Sequence, residues 1–135
     1  MKYVLDACAL IALIRNEDGA SIVHQALAAD ENICFVHALN LCEVYYDCLR
    51  CYGAVQADNL VDRLAEAGLS ICSDMDVMLW KHAGHLKARG RISLADCFAI
   101  ALTERENAVL LTSDRHEFEP LLAVEGFKAK IRFIR

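Results

Sequence analysis

Short apolar runs along the chain alternate with longer segments in which apolar residues recur every three or four positions. The short runs are β-prone and lie between turn-forming residues, which predicts strands at residues 3–5, 33–36, 69–72, 108–112 and 131–134. The longer segments predict helices, because apolar side chains at that spacing share one helical face. We expect helices at residues 9–14, 20–29, 38–52 and 77–89, one around Leu60 and Leu64, one behind Ser93 and a short one behind Asp114.

This alternation of strands and helices predicts a parallel sheet covered by helices on both faces. We therefore expect an α/β fold of three layers, with a mostly parallel central sheet of four to five strands. A length of 135 residues suits one core, which predicts a single domain over residues 1–135. With 56% hydrophobic residues and one proline, the composition excludes a disordered chain.

Several polar residues are placed to begin or end these helices. Gly53 and Gly90 are expected to end helices, and Asp74 or Asp76 to cap the helix at 77–89. Ser93 is expected to cap the next helix, with Asp96 three residues later in its first turn, a variant of the capping box.

The seven cysteines and the N-terminal sequence bear on the compartment. An odd number of cysteines, mostly inside apolar runs, predicts reduced thiols rather than a disulfide framework. The first residues lack the pattern of a signal peptide, and no uncharged apolar run reaches the roughly 18 residues that would cross a bilayer. We expect a cytoplasmic protein that does not enter the membrane.

Four acidic residues occupy positions where an α/β fold places ligands, beyond the carboxyl ends of the strands. Asp6 follows the first strand, Asp114 follows the fourth, Asp96 lies at the start of the helix between them in sequence, and Glu43 lies on the helix at 38–52. Each has an ordinary explanation alone, as a helix cap, a turn former or an exposed helical residue. Asp6 fits such explanations least, because it stands between apolar runs and is costly to bury unpaired. Grouped carboxylates are the ligands that Mg²⁺ prefers.

The net charge of −5 would argue against nucleic acid as a partner if binding needed a uniformly basic surface. That objection fails if the acids bind cations, because the remaining basic residues can then form a rim around them. Ordinary solvated surface explains these residues equally well: Lys81, Lys87, Arg89 and Arg91, then Lys128, Lys130, Arg132 and Arg135.

Other chemistries find less support in the sequence. Cys48 and Cys51 have the spacing of a redox motif, but late in a helix, where core packing is the better explanation. The histidines show no zinc-ligand spacing with the cysteines, and His82 and His85 are explained as ordinary helix positions. A phosphoaspartyl enzyme would need a second aspartate at position 8, which is Cys8, and a receiver domain would need an acidic pair before its phosphorylated aspartate.

Four segments of the chain resemble, in order, the acidic motifs of PIN-domain nucleases. They are residues 3–10, 40–44, 93–101 and 111–114, and they carry Asp6, Glu43, Asp96 and Asp114. The size and motif order resemble the bacterial VapC toxins of type II toxin-antitoxin pairs. Two positions differ from the family pattern: Ala7-Cys8 stands where a Thr or Ser is common, and Asn40 replaces a frequent Thr, so hydroxyl groups are missing near the acids.

The resemblance implies a PIN-like fold and an endoribonuclease that uses Mg²⁺, or Mn²⁺, to hydrolyse RNA and leave 5′-phosphate and 3′-hydroxyl ends. Asp6 and Asp96 would be the central metal ligands, and Glu43 and Asp114 would complete the site. It also implies a homodimer and a small antitoxin protein as partner. The alternative is a degenerate PIN domain that binds RNA or protein without catalysis.

Overall fold

The computed structural model describes all 135 residues as five strands and seven helices. The strands are β1 (Lys2–Leu5), β2 (Ile33–His37), β3 (Leu69–Cys72), β4 (Val109–Thr112) and β5 (Lys130–Phe133). The helices are α1 (Ala7–Ile14), α2 (Ala20–Ala28), α3 (Ala38–Tyr52), α4 (Ala54–Glu66), α5 (Val77–Arg89), α6 (Leu94–Arg105) and α7 (Arg115–Leu122).

The five strands form one sheet in the order β3-β2-β1-β4-β5, and every neighbouring pair is parallel. The predicted α/β fold with a parallel sheet is therefore confirmed. From β1 the chain winds outward through β2 and β3, and it then returns to β4 on the other side of β1. The winding direction thus changes between β1 and β4, and such a switch point is where open α/β sheets bind ligands.

Alternate residues of the central strands pack into two hydrophobic cores on opposite faces of the sheet. Leu5 and Leu111 belong to the core shared with α1 to α4, whereas Val4 and Leu110 belong to the core shared with α5 and α6. All four side chains are fully buried. This burial on both faces explains why the central strands β1 and β4 are apolar runs rather than alternating ones.

Most predicted elements lie within one or two residues of the observed ones. The last strand is shifted by one residue, because Ile134 lies beyond β5 although its N–H still donates to the Thr112 carbonyl oxygen at 2.9 Å. Asp76, rather than Asp74, caps α5 by accepting from the N–H of Leu79 at 3.2 Å. None of the helices combines the length and the apolar character needed to cross a membrane.

Candidate active site

Asp6 lies at the carboxyl end of β1 and is completely buried. It caps α1, because one carboxylate oxygen, Oδ1, accepts a hydrogen bond from the N–H of Ala9 at 2.8 Å. The other oxygen, Oδ2, is buried and forms no hydrogen bond of good geometry, although the Thr112 hydroxyl is close enough to Asp6 to lower its pKa. A buried carboxylate oxygen without a partner is costly. Helix capping therefore accounts for the position of Oδ1 but not for that of Oδ2.

Asp96 lies in the first turn of α6 and is 8% exposed. The predicted cap is confirmed, since the Ser93 hydroxyl oxygen accepts from the N–H of Asp96 at 3.2 Å. In a capping box the acid at this position would in turn accept from the N–H of the cap residue. Here Glu117 of α7 takes that place, and its Oε2 accepts from the N–H of Ser93 at 3.1 Å. The carboxylate of Asp96 is thus left free for other contacts.

Asp114 follows β4 and caps α7, with its Oδ1 accepting from the N–H of Glu117 at 3.0 Å. The Asp114 N–H itself donates to the hydroxyl oxygen of the buried Thr112 at 3.0 Å. Asp96, Asp114 and Glu117 each offer a carboxylate oxygen, and these oxygens lie within 4.8 Å of one another. We call these three residues the acidic triplet.

Asp6 and Glu43 lie beside the acidic triplet rather than within it. The charges of Asp114 and Glu43 act on Asp6, and that of Asp6 acts on Asp96. Glu43 is half-buried on α3, and its pKa is raised by burial and by the charge of Glu117. The structure therefore brings the four predicted acids to one edge of the sheet, with Asp96 and Asp114 in closest association.

Burial and mutual repulsion change the protonation of the two buried aspartates. Burial raises the pKa of Asp6 to about 7, although the Thr112 hydroxyl and the N–H of Ala9 lower it in part. The pKa of Asp96 rises to about 9 because of burial, the neighbouring Glu117 carboxylate and the charge of Asp6. The same contact with Asp96 lowers the pKa of Glu117. The opposed shifts mean that, without a cation, Asp96 and Glu117 resist being ionised together.

The two positions that differ from the family pattern have identifiable surroundings. Asn40 is fully buried, and its Nδ2 donates to the carbonyl oxygen of Ala95 at 3.0 Å, which joins α3 to the start of α6. Cys8 is half-buried, and burial together with the charges of the neighbouring acids raises the pKa of its thiol to about 12. Cys8 therefore remains a neutral thiol and does not supply a nucleophilic thiolate.

The structure does not support redox chemistry at Cys48 and Cys51 or acid-base chemistry at His82. Cys48 is buried and Cys51 is exposed near the end of α3, so the pair does not stand at a helix N-terminus where a thiolate would be stabilised. His82 lies beside Glu104, with its Nε2 at 2.6 Å from the Glu104 Oε2. These residues have local explanations in packing and ion pairing.

The residues at this edge fit a divalent cation. No Lys or Arg forms an ion pair with Asp6, Glu43, Asp96 or Asp114. The orphaned Oδ2 of Asp6 and the close oxygens of the acidic triplet have no cation in ion-pair contact, although the charges of Lys87 and His116 lower the pKa of Glu117. Buried charges need a closer partner. An all-oxygen set of hard ligands suits Mg²⁺ or Mn²⁺ rather than a soft metal.

Glu117 is the site residue that sequence reasoning missed. Its signal was available, because Glu117 follows Asp114 by three residues, the spacing of a capping box. The contact that makes it part of the site, with the N–H of Ser93, joins residues that are 24 positions apart. Local pattern alone does not reveal such a contact.

Solved structures of similar fold provide an independent comparison. The chain is 19% identical to a chain of VapBC2 from Rickettsia felis bound to a promoter DNA fragment, with 98% of each chain covered and a TM-score of 0.75. It is 16% identical to a chain of a toxin-antitoxin complex from Klebsiella pneumoniae, covering 98% of each, with a TM-score of 0.70. For VapC20 of Mycobacterium tuberculosis, a sarcin-ricin loop cleaving toxin, the identity is 14%, the coverage 93% of this chain and 96% of that one, and the TM-score 0.70. At these identities the comparison establishes the fold.

Sequence comparison gives the family. No curated protein matches the chain. The family model of the PIN domain, however, matches residues 3–120, which include all five acids described above. Since this match spans most of the sequence, the chain belongs to the PIN domain family.

Proposed function

We propose that this protein is a divalent-metal-dependent endoribonuclease and the toxin of a toxin-antitoxin pair. The observation that carries the proposal is the unneutralised acidic edge at the switch point between β1 and β4. The buried Asp6 with its orphaned Oδ2, and the acidic triplet beside it, form a costly arrangement that a cation would stabilise. Membership of the PIN domain family supports nuclease activity as its purpose.

The proposed ligands are Asp6, Glu43, Asp96 and Asp114, to which we add Glu117. When bound, a divalent cation would polarise the scissile phosphodiester and lower the pKa of an attacking water. The positive charge of a bound cation would favour the ionised forms of Asp96 and Glu117, so both carboxylates would then be available as ligands. Glu43 lies outside the acidic triplet and has a raised pKa, which suits it to accept a proton from water.

The toxin assignment is supported by the structures of similar fold. The Klebsiella pneumoniae structure is described as a toxin-antitoxin complex, and VapC20 as a toxin that cleaves the sarcin-ricin loop. We therefore propose structured RNA as substrate and a small antitoxin protein as partner, together with a homodimeric toxin. The negative charge of the acidic edge would attract a basic segment of such an antitoxin.

Incubation of the purified protein with structured RNA tests the proposed function. We expect cleavage with Mg²⁺ or Mn²⁺, none in EDTA, and products with 5′-phosphate and 3′-hydroxyl ends. Asp96→Asn should cleave no RNA under the same conditions while it unfolds at a similar temperature. Cleavage that continues in EDTA, or Asp96→Asn cleaving at the wild-type rate, would contradict the metal site.

The same experiment separates the second candidate function, a degenerate PIN domain that binds RNA or protein without catalysis. Such a module would retain RNA bound in a filter assay but would leave every RNA intact at any metal concentration. The retention of all the acids favours the enzyme. Their repulsion would otherwise destabilise the fold without a compensating role.

A further inference from the structure

A cavity of about 840 Å³ lies next to the acidic edge, between α5, α6, α7 and the segment that leads to β5. Glu117 lines this cavity and also belongs to the acidic triplet, so the two sites share a wall. The volume lies in the range of pockets that bind small organic molecules or a single nucleotide. The cavity therefore opens beside the place where the proposed reaction occurs.

Around this cavity, Lys and Arg residues outnumber acids, in contrast to the acidic edge. Its lining includes Arg89, Arg91 and Lys128, and none of the ion pairs of the structure involves any of them. The lining contains two acids. Glu104 is paired with His82, and Glu117 is a member of the acidic triplet. The cavity thus presents free cations although the whole chain carries a net charge of −5.

The rest of the lining offers an apolar and aromatic surface. Phe127 is half-buried there, and Leu121 and Pro120 of α7 line the same cavity. Bases of single-stranded RNA are held in proteins by stacking on aromatic rings, while cations contact the phosphates. Lys128 also lines a second, smaller cavity together with Lys130, which extends the basic surface away from the acidic edge.

We propose that this cavity is a nucleotide subsite that holds a base and phosphate of single-stranded RNA next to the scissile bond. The proposal rests on the proposed ribonuclease function and goes further, because it assigns substrate binding to Arg91, Lys128 and Phe127. Arg91 is two residues before Ser93, whose N–H is bonded to Glu117, so a nucleotide held there lies beside the acidic triplet. The free cations favour a polyanion over a basic protein segment as the occupant.

Binding of a fluorescent single-stranded RNA, measured by anisotropy over a range of salt concentrations, tests this subsite. The substitutions are made in the Asp96→Asn chain, the parent, which should not cleave the RNA during the measurement. They are also made in the wild-type chain, whose RNA binding is measured in EDTA. Arg91→Ala and Lys128→Ala should each weaken binding and reduce the salt slope by about one. Phe127→Ala should weaken binding about fivefold or more, with little change in the slope.

Arg63→Ala is the matched control, because Arg63 is an exposed arginine of α4 without an ion pair and does not line the cavity. It should bind RNA like its parent. If Arg91→Ala and Lys128→Ala also bind like the parent while the wild type cleaves RNA with Mg²⁺, the subsite is wrong and the nuclease proposal stands. That result would leave the cavity to a protein partner. If the wild type neither binds RNA in EDTA nor cleaves it with Mg²⁺, both proposals are overturned.

Discussion

Three helices of this molecule begin with an aspartate cap, Asp6, Asp76 or Asp114, and the surroundings of Asp76 and Asp6 differ. Asp76 caps α5 and is 54% exposed at its side chain, with its Oδ1 accepting from Nη1 of Arg105 at 3.3 Å. Asp6 caps α1 with an equally regular bond to the N–H of Ala9, but it is completely buried and faces other acids instead of a cation. Both caps satisfy a helix N-terminus, yet only Asp76 has its charge compensated by the protein.

The difference between the two caps separates structural from functional acids. A helix cap needs one carboxylate oxygen and can remain at the surface, where solvent and an arginine stabilise the charge. Asp6 holds its second oxygen in an apolar setting beside Glu43, Asp96 and Asp114, which raises the energy of the ionised form. We infer that such a costly buried carboxylate is retained because its charge serves a function other than helix capping.

The largest difference is expected in RNA cleavage. Asp6→Asn keeps the cap, because Asn accepts the same hydrogen bond, but it removes the charge that would hold a cation. Cleavage should fall at least about a hundredfold, since the cation supplies several kcal/mol of transition-state stabilisation. Asp76→Asn makes the same chemical change at the other cap and should cleave like the wild type. Equal activity of the two variants in a Mg²⁺-dependent assay would remove the distinction between the caps.

A second difference is expected in how stability depends on pH without metal. The folded pKa of Asp6 is about 7, above its ordinary value of 3.8, so protonation favours the folded state. This stabilisation is complete below pH 3.8, is lost as the pH rises to about 7, and stays lost above it. Each unit of pKa difference corresponds to about 1.4 kcal/mol, so the total is on the order of a few kcal/mol.

Denaturant unfolding in EDTA across this pH range measures that effect. The free energy of unfolding should fall less steeply with pH in Asp6→Asn than in the wild type, and Asp6→Asn should be the more stable of the two at pH 8. Asp76→Asn should retain the wild-type slope. A wild-type slope in Asp6→Asn would mean that Asp6 is ionised in the folded protein without difficulty.

The sequence was sufficient for the fold because its local signals agree with the tertiary structure. The central strands β1 and β4 are apolar on both faces, and the caps at Asp76 and Ser93 mark where helices start. The placement of Asp6 and Asp114 followed from a general rule about the carboxyl ends of parallel strands. Local preference and global packing thus point to the same structure.

The parts of the site that sequence did not reveal depend on contacts between distant segments. Glu117 belongs to the site because α7 brings it to the N–H of Ser93. Asn40 was interpreted only as a missing hydroxyl group, whereas its side chain joins α3 to the carbonyl of Ala95, 55 residues away. Neither contact has a periodic signature. The cations around the cavity were equally compatible with ordinary surface until their position beside Glu117 was known.

The smallest expected effect concerns Asp76 alone. Asp76→Ala removes the cap of α5 and should lower the free energy of unfolding by about 1 kcal/mol, because the N–H of Leu79 loses its partner. Asp76→Asn keeps a capping oxygen and loses only the ion pair with Arg105, which contributes little at an exposed position. Denaturant unfolding should therefore place Asp76→Asn close to the wild type and Asp76→Ala below it. If both variants lose equal stability, the ion pair rather than the cap stabilises this end of α5. Both variants should cleave RNA like the wild type, because Asp76 is exposed and its charge is compensated by Arg105. A loss of cleavage in either variant would show that such an aspartate also serves the reaction, and the contrast with Asp6 would then be wrong.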